Sequence, residues 1–370
     1  MSAPLVSVLL PVYNAGPYLA AALESILRQD HQRLEVIAID DGSTDNCLEI
    51  LERYRRADRR IVIVSRENRG LIATLNEAMS LASGDLVARM DADDIAYPAR
   101  LARQVAAFGR RPELAICGTN VDTLIGNRLT RGTADPVYQT GDLRILSLFF
   151  TLFLHSTVIY NRKLLSDSDL AYDENYKHAE DFDLFRRITD RYPVKLIDES
   201  LLAYRQHLTS VTSRHKKVMR QTHLRIVSEN LAREDILPTA APLGDIGRAV
   251  TMDTVSNAAE FMIELDERIA GQPVELRPSY EGGALNLFYF LYKLIGDEAK
   301  PHLTHAFLTR TARWELIRRR ERYSLYPGAH APWLSLASIA TTRHVDAVQW
   351  FFKSVPAAAI LPRHHPQEQA

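Results

Sequence analysis

Apolar positions in the first hundred residues come in two rhythms. Residues 5–10 (LVSVLL), 34–40 (LEVIAID), 60–65 (RIVIVS) and 85–90 (DLVARM) are short runs rich in β-branched residues, which read as buried strands. Longer segments with a helical period separate them. After Pro17, a favourable first-turn residue, Tyr18, Leu19, Ala22, Leu23, Ile26 and Leu27 share one face of a helix. Ser43 or Thr44 is placed to cap a second helix, with Leu48, Leu51 and Tyr54 facing inward. A third helix follows Gly70 and is expected to end at Gly84. Strand–helix alternation of this kind predicts an α/β fold: a Rossmann-like, mainly parallel sheet flanked by helices with right-handed crossovers.

Past residue 100 the rhythm loosens. Residues 98–118 predict a helix and then a strand, and 119–143 a stretch of strand or loop. An apolar run at 145–154 (ILSLFFTLFL) precedes a strand at 155–161, and 178–192 (HAEDFDLFRRITDRY) has an amphipathic helical period. Residues 194–207 predict a strand or hairpin. From about 215 the pattern is mostly helical, broken by prolines. The division expected is therefore a catalytic domain over 1–214, with halves 1–100 and 101–214, and a helical C-terminal region over 215–370.

Composition narrows the class. The 370 residues are 46% hydrophobic and 25% charged, an ordinary globular balance. A formal net charge of −1 speaks against a nucleic-acid binder that works by global charge. Two cysteines, Cys47 and Cys117, are too few for a disulfide scaffold, so a reducing, cytoplasmic setting is expected. The longest apolar run is well short of the roughly 20 residues a membrane span needs. Peripheral contact with the inner membrane face stays open, because residues 310–322 (RTARWELIRRRER) are strongly basic and Trp333, Trp350, Phe351 and Phe352 follow. The alternative for 305–370 is a helical appendage packed on the chain itself or on a second subunit, which leaves a homo-oligomer open too.

The polar residues that stand out all follow strands: 11–14 (PVYN), 40–43 (DDGS), 66–70 (RENRG) and 91–94 (DADD). The carboxyl edge of an open α/β sheet is where such folds bind ligands. At a strand end Asp91 and Asp93 can project the same way, and two such carboxylates make half the shell of a hard divalent cation. In isolation a solvated acidic turn, with Asp94 capping the next helix, explains the same letters; the shared edge favours the cation. Asp40 can accept hydrogen bonds from a base or ribose, while its neighbour and Ser43 can serve as helix caps. A phosphatase of the haloacid dehalogenase type needs an acid two positions after the strand-end Asp, where this chain has Gly42. Glu180 and Asp181 open a helix, either as favourable N-terminal charges or as a general base. His207, near Arg205, is a surface histidine unless a metal lies beside it.

In order, VSVLLPVYNAGPYLAAALESILRQ, EVIAIDDGSTD, ENRGLIATLNEAMSLASGD, ARMDADDIAYPARL, HAEDFDLFRRI and YRQH cover residues 5–213, and the series resembles the inverting glycosyltransferases of family 2 with the GT-A fold. The resemblance implies that Pro11, Tyr13 and Asp40, with Arg69, surround the nucleotide of a UDP- or GDP-linked sugar, and that Asp91 and Asp94 also meet the donor. It makes Asp91 and Asp93 a DXD pair for Mn2+ or Mg2+, Asp93 the more direct ligand and His207 a further one. Asp181 becomes the general base and Glu180 its neighbour. It implies transfer to a glycan or lipid-linked acceptor in surface polysaccharide or glycolipid synthesis of a bacterial type. Processive members carry Q-x-x-R-W and membrane spans; residues 310–314 (RTARW) put Arg310 where Gln belongs, so one sugar per encounter is expected. The alternative is a non-catalytic member that binds sugar nucleotide or glycan within an assembly complex.

Overall fold

The structure, a computed structural model, describes residues 3–132, 137–207, 215–237, 241–325, 338–340, 346 and 353–357. The chain forms two compact units, one of Met1–Asp135, Phe153–Ser213 and Ser354–Ala370, the other of Pro136–Leu152 and Arg214–Lys353. Trp333, Trp350, Phe351 and Phe352 lie outside the described residues.

In the first unit the elements run β1 (Val6–Val12), α1 (Gly16–Leu27), β2 (Leu34–Asp41), α2 (Cys47–Ala57), β3 (Ile61–Arg66), α3 (Leu71–Leu81), β4 (Leu86–Arg89), β5 (Ile95–Ala96), α4 (Arg100–Arg110), β6 (Ile116–Ile125) and β7 (Arg128–Thr130). Two short helices, α5 (Val137–Thr140) and α6 (Leu143–Leu146), belong to the second unit. The first unit resumes with β8 (Ile159–Asn161), α7 (Asp167–Leu170), α8 (Glu180–Thr189), β9 (Val194–Gln206) and β10 (Val355–Pro356). Strand order is β3-β2-β1-β4-β8-β6-β7-β10, with β9 beside β6 and β5. Strands β1 to β4 are mutually parallel and β9 runs parallel to β6, whereas β5, β7, β8 and β10 pair antiparallel. The sheet is therefore mixed, with its parallel half where the sequence alternates most regularly.

Period-two alternation explains the layering. Val6, Val8, Leu10 and Val12 face one side, where they join Leu19, Leu23 and Ile26 of α1, Ile50 and Leu51 of α2, and Leu101 and Phe108 of α4. On the other side α3 packs on β1 and β2, with Ile72, Leu75, Ala78 and Met79 buried. Each large side chain so enclosed contributes about 1.5–3 kcal/mol. Parallel register brings Val12 opposite Asp40 and Asp41 opposite Arg66, so the four polar loops end on one rim.

Several local expectations need correction. Helix α2 begins at Cys47, with Asn46 at the cap position and no side-chain cap; Ser43 is instead a hydroxyl acceptor for the Asn14 N–H at 3.0 Å. Leu48 points outward, 40% exposed, and Cys47 and Ile50 take the inner face with Leu51. Helix α3 stops at Leu81; Gly84 lies where a Cβ would stand 2.7 Å from the Leu5 carbonyl oxygen, so its role is close backbone approach. Asp94 caps nothing, because β5 intervenes and α4 starts only at Arg100.

The second unit is helical: Lys216–Arg233, Ala241–Arg248, Met252–Ala270, Arg277–Gly296, Pro301–Arg310 and Arg319–Leu325. The apolar run starting at 145 feeds it, and Phe149 packs so tightly on Gly283 that a Cβ there would sit 2.1 Å from the ring. Among the described residues no helix is long and apolar enough to cross a membrane.

Candidate active site

The loops after β1, β2 and β3 are laced together by their own polar groups. Gly42 turns the chain with φ +74°, and a Cβ there would meet the Asn68 nitrogen at 2.7 Å. The Thr44 N–H donates to Asn14 Oδ1 at 2.8 Å, and the Gly16 N–H to Asp45 Oδ2 at 2.9 Å. Asp41, expected as a helix cap, organises the next loop instead: it accepts from the Arg69 N–H (2.8 Å), the Gly70 N–H (2.9 Å) and the Arg66 guanidinium. Asp40 is only 3% exposed and accepts from the Ser43 N–H (3.2 Å) and the Ser65 hydroxyl (2.9 Å). Those two donors fix its carboxylate at the rim. Pro11 is half-buried in β1, Tyr13 is exposed, and the Arg69 side chain extends into solvent 3.5 Å from Glu77.

Beyond β4 the three acids crowd together, each offering an oxygen within 4.8 Å of the others. Arg89, buried at the end of the strand, pairs with Asp91, and its Nη1 donates to Ser156 Oγ at 3.0 Å; Ser156 in turn donates to Asp91 Oδ2 at 2.5 Å. Asp93 Oδ2 stands 2.8 Å from His207 Nε2, and the Asp93 carbonyl accepts from Arg205 Nε at 2.7 Å. Asp94 has no exposed surface. Its Oδ1 accepts the Arg205 N–H at 2.8 Å, but Oδ2 is buried with no hydrogen-bond partner among the described residues. Ser156, which also influences Asp94, gives its one proton to Asp91.

An orphaned buried carboxylate oxygen is costly unless a cation or a proton supplies what is missing. Burial, reinforced by the charge of Asp91, pushes the Asp93 carboxyl up, and burial with the charges of Asp91 and Asp93 pushes Asp94 well above the usual carboxylate range. Like charges so placed resist ionising together. The donor set, hard carboxylate oxygens beside one imidazole, suits a divalent ion such as Mn2+ or Mg2+. The residues present fit the metal.

Asp181 and Glu180 enter from α8. The chain turns into that helix through His178 in the left-handed region, φ 68°, and Ala179 leaves the first turn without a side-chain cap. The Phe182 N–H donates to Asp181 Oδ1 at 2.8 Å. Burial raises Asp181 to about 6, opposed by that hydrogen bond and by the charge of Arg89, while Asp91 adds to the rise. Burial and then the charge of Asp181 raise Glu180 to about 7. The charges of Arg89 and Asp91 thus act on Asp181 in opposite directions.

Four further residues border the site. Tyr18, expected in the core, presents its ring to Arg205 (4.8 Å) and to His207 (5.1 Å). Arg205 uses Nε, its backbone N–H and one guanidinium face for the protein, which leaves Nη1 and Nη2 without a protein partner among the described residues. Arg89 and Ser156 support Asp91. Spacing could have flagged two of these: Arg89 stands two residues before Asp91, and Arg205 two before His207, each pair on one side of an extended chain. Asp94, expected to meet the donor, is fully buried, directly before β5 where that strand pairs with β9.

The family described as glycosyl transferase family 2 matches residues 7–169. An uncharacterized glycosyltransferase of Haemophilus influenzae is 30% identical over 239 residues, which span 62% of this chain and 73% of that protein. The crystal structure of S. aureus TarS 1–349 in complex with UDP-GlcNAc matches with a TM-score of 0.53 at 19% identity, covering 84% of this chain and 91% of that one. Mannosyltransferase PcManGT from Pyrobaculum calidifontis, in complex with GDP-Man and Mn2+, matches with a TM-score of 0.50 at 18% identity over 85% of this chain and 88% of its own. At those identities the two structures speak for the fold alone.

Proposed function

The chain belongs to glycosyl transferase family 2, and we propose that it moves one sugar from a UDP- or GDP-linked donor to a hydroxyl of a glycan or lipid-linked acceptor, with inversion at the anomeric carbon. The reading places it in surface polysaccharide or glycolipid assembly. The observation that carries it is the crowding of Asp91, Asp93 and Asp94, each with an oxygen within 4.8 Å of the others, with His207 2.8 Å from Asp93: a concentration of negative charge that a divalent cation would complete.

Asp93, Asp91 and His207 would hold Mn2+ or Mg2+, and when bound the ion supplies positive charge against the diphosphate of donor and product. The chain does the rest. Tyr13 offers a ring face, and Asp40, oriented by Ser43 and Ser65, accepts from a base N–H or a ribose hydroxyl. Pro11 and Arg69 would complete the surroundings of the nucleotide. Arg205, held in place by Tyr18 and by Asp93 and Asp94, would offer its guanidinium to the departing diphosphate. Asp181 takes the proton of the acceptor hydroxyl as that oxygen attacks the anomeric carbon from the side opposite the leaving group. A single displacement inverts the centre, and the carboxylate, raised by burial, is a better base than a solvated one yet still ionised near neutrality.

A thermal-shift series with UDP, GDP, UDP-GlcNAc and GDP-Man, each with and without Mn2+, tests this reading. At 100-fold excess over Kd a ligand adds about 2.7 kcal/mol, which corresponds to several degrees in Tm. One nucleotide is expected to raise Tm, and only with metal present. No shift with any of them removes the reading.

Membrane contact belongs to the same proposal. On and beside Arg319–Leu325, Arg318, Arg319 and Arg320 are exposed, as is Tyr323 at 65%. Cationic side chains near an anionic surface contribute about 1 kcal/mol each. The full chain is expected to sediment with vesicles containing phosphatidylserine, and a variant with Arg318, Arg319 and Arg320 all changed to Glu to stay in the supernatant. Equal behaviour of the two proteins ends the membrane assignment.

A further inference from the structure

His155 has no task in the proposed reaction, and its hydrogen bonds can be followed proton by proton. It opens a single turn, His155–Thr157, and its ring is only partly exposed. Nε2 lies 2.8 Å from the Tyr172 hydroxyl, which in turn lies 3.0 Å from the Tyr160 hydroxyl. Both tyrosines are anchored. Tyr160, 0% exposed, stands on β8 between β4 and β6, and Asn76 of α3 holds the N–H and the carbonyl of Tyr172, each at 2.9 Å. Among the described residues the Tyr160 hydroxyl has no partner but Tyr172, and Nδ1 of His155 has none.

A proton on Nε2 would donate to Tyr172. Between them the two hydroxyls could then use only one of their own protons, and the other would be buried without an acceptor, a costly outcome. That holds for the ring protonated at Nε2 alone and for the imidazolium alike. With Nε2 bare, Tyr160 donates to Tyr172, Tyr172 donates to Nε2, and every proton is used. The network therefore selects the neutral ring that carries its proton on Nδ1. Burial, and then the charge of Arg89, hold His155 well below its ordinary value, in agreement. The ring meets Phe185 edge-on at 6.0 Å, and Phe185 follows Asp181 by one turn on the same face of α8. The next residue along the chain, Ser156, donates to Asp91. His155 thus touches the helix that carries the proposed base, while its neighbour touches an acid proposed for the metal.

We propose that His155 is a sugar-binding residue of this site, its Nδ1–H, aimed by Tyr172 and Tyr160, donating to a hydroxyl or ether oxygen of a sugar that lies beside Asp181. The inference rests on the transferase reading. A donor fixed before the substrate arrives needs no reorganisation during the reaction. Such oxygens occur on the donor sugar and on the acceptor sugar, and kinetics distinguish the two.

In the full-length protein with isotope-labelled histidine, imidazole nitrogen–proton correlations show which nitrogen holds the proton, and the signal lost in His155→Phe belongs to His155. The Nδ1–H form is expected, with Tyr172→Phe shifting it toward Nε2–H. An Nε2–H or doubly protonated ring at neutral pH in the wild type overturns the proposal. Turnover is then measured with the nucleotide sugar that raises Tm and with methyl glycosides as acceptors. His155→Phe is expected to lower kcat/KM roughly tenfold, the loss of one neutral hydrogen bond, and to leave UDP or GDP affinity in Mn2+ unchanged, since neither carries a sugar. His155→Asn, whose amide N–H stands in for Nδ1–H, recovers most of the loss. A raised KM for the nucleotide sugar puts the bond on the donor, and a raised KM for the glycoside puts it on the acceptor. Unchanged kcat/KM in His155→Phe, or nucleotide affinity that falls as far as kcat/KM, removes the role; if that variant does not fold, Tyr172→Phe is read in the same way. Failure of every nucleotide to bind removes the transferase reading, and this proposal with it, even where the tautomer is as expected.

Discussion

Asp93→Ala is expected to abolish metal-dependent nucleotide binding while the protein stays folded. Removing a partner of a bound metal's supporting shell alone costs roughly 10–100-fold in affinity, so loss of a direct ligand should cost at least about 100-fold for UDP or GDP in Mn2+. The fold has little stake in the side chain. Among the described residues its carboxylate meets His207 at 2.8 Å, and the contact that anchors the loop, from Arg205 Nε, goes to the Asp93 carbonyl, which alanine keeps. Relief of crowding works the same way: without Asp93 one like charge beside Asp91 and Asp94 is gone, and Tm without metal should hold or rise. Titration calorimetry with and without EDTA measures the first effect and a melting curve the second. Equal nucleotide affinity of wild type and variant in Mn2+ would remove Asp93 from the metal.

The contrast with Asp94 is informative, because the three acids look alike as letters. Asp94→Ala deletes the acceptor for the Arg205 N–H and opens a void where exposure is 0%. It damages β9 before it touches a ligand.

How much of this was legible beforehand follows from what each feature depends on. Strand ends were readable, since period-two burial in β1 to β4 depends on near neighbours, and the rim acids follow from strand ends. Tyr18 counted as core because its helical face was right; only the arrival of Arg205 and His207 from β9 shows that this end of the face meets the site. No local pattern encodes that pairing, since β5 meets β9 across more than a hundred residues. Ser156 carried no signal at all. The cap of α2 failed for a different reason: Ser43, Thr44, Asp45 and Asn46 are all capping residues, and the loop spends Ser43 on Asn14 and Asp45 on Gly16 and Cys47. The apolar run at 145–154 had the composition of a strand or helix, yet its Phe149 finds its place against Gly283, a contact that sequence spacing cannot supply.

Asp181→Asn is expected to separate catalysis from stability more sharply than any other change. Loss of a general base costs about 10²–10⁴ in kcat, while UDP or GDP affinity in Mn2+ should change little, because the groups proposed to hold the nucleotide lie on the loops after β1 to β4. Wild-type turnover should fall as pH drops through about 6, where Asp181 takes up its proton, and the variant should lack that limb. Stability moves the opposite way. An unfolded Asp titrates near 3.9 and the folded one near 6, so folding favours the protonated form. Ionising it costs stability above the folded value, and the cost vanishes as pH falls below the unfolded one. Asparagine never pays that cost and still accepts the Phe182 N–H. The variant should therefore be more stable than wild type at neutral pH by something on the order of 1 kcal/mol, with the gap closing in acid. A less active but equally stable protein would mean that Asp181 is not held in the buried, raised state that its place at the start of α8 implies; near-normal turnover would move the base to another side chain, with Glu180 next in line.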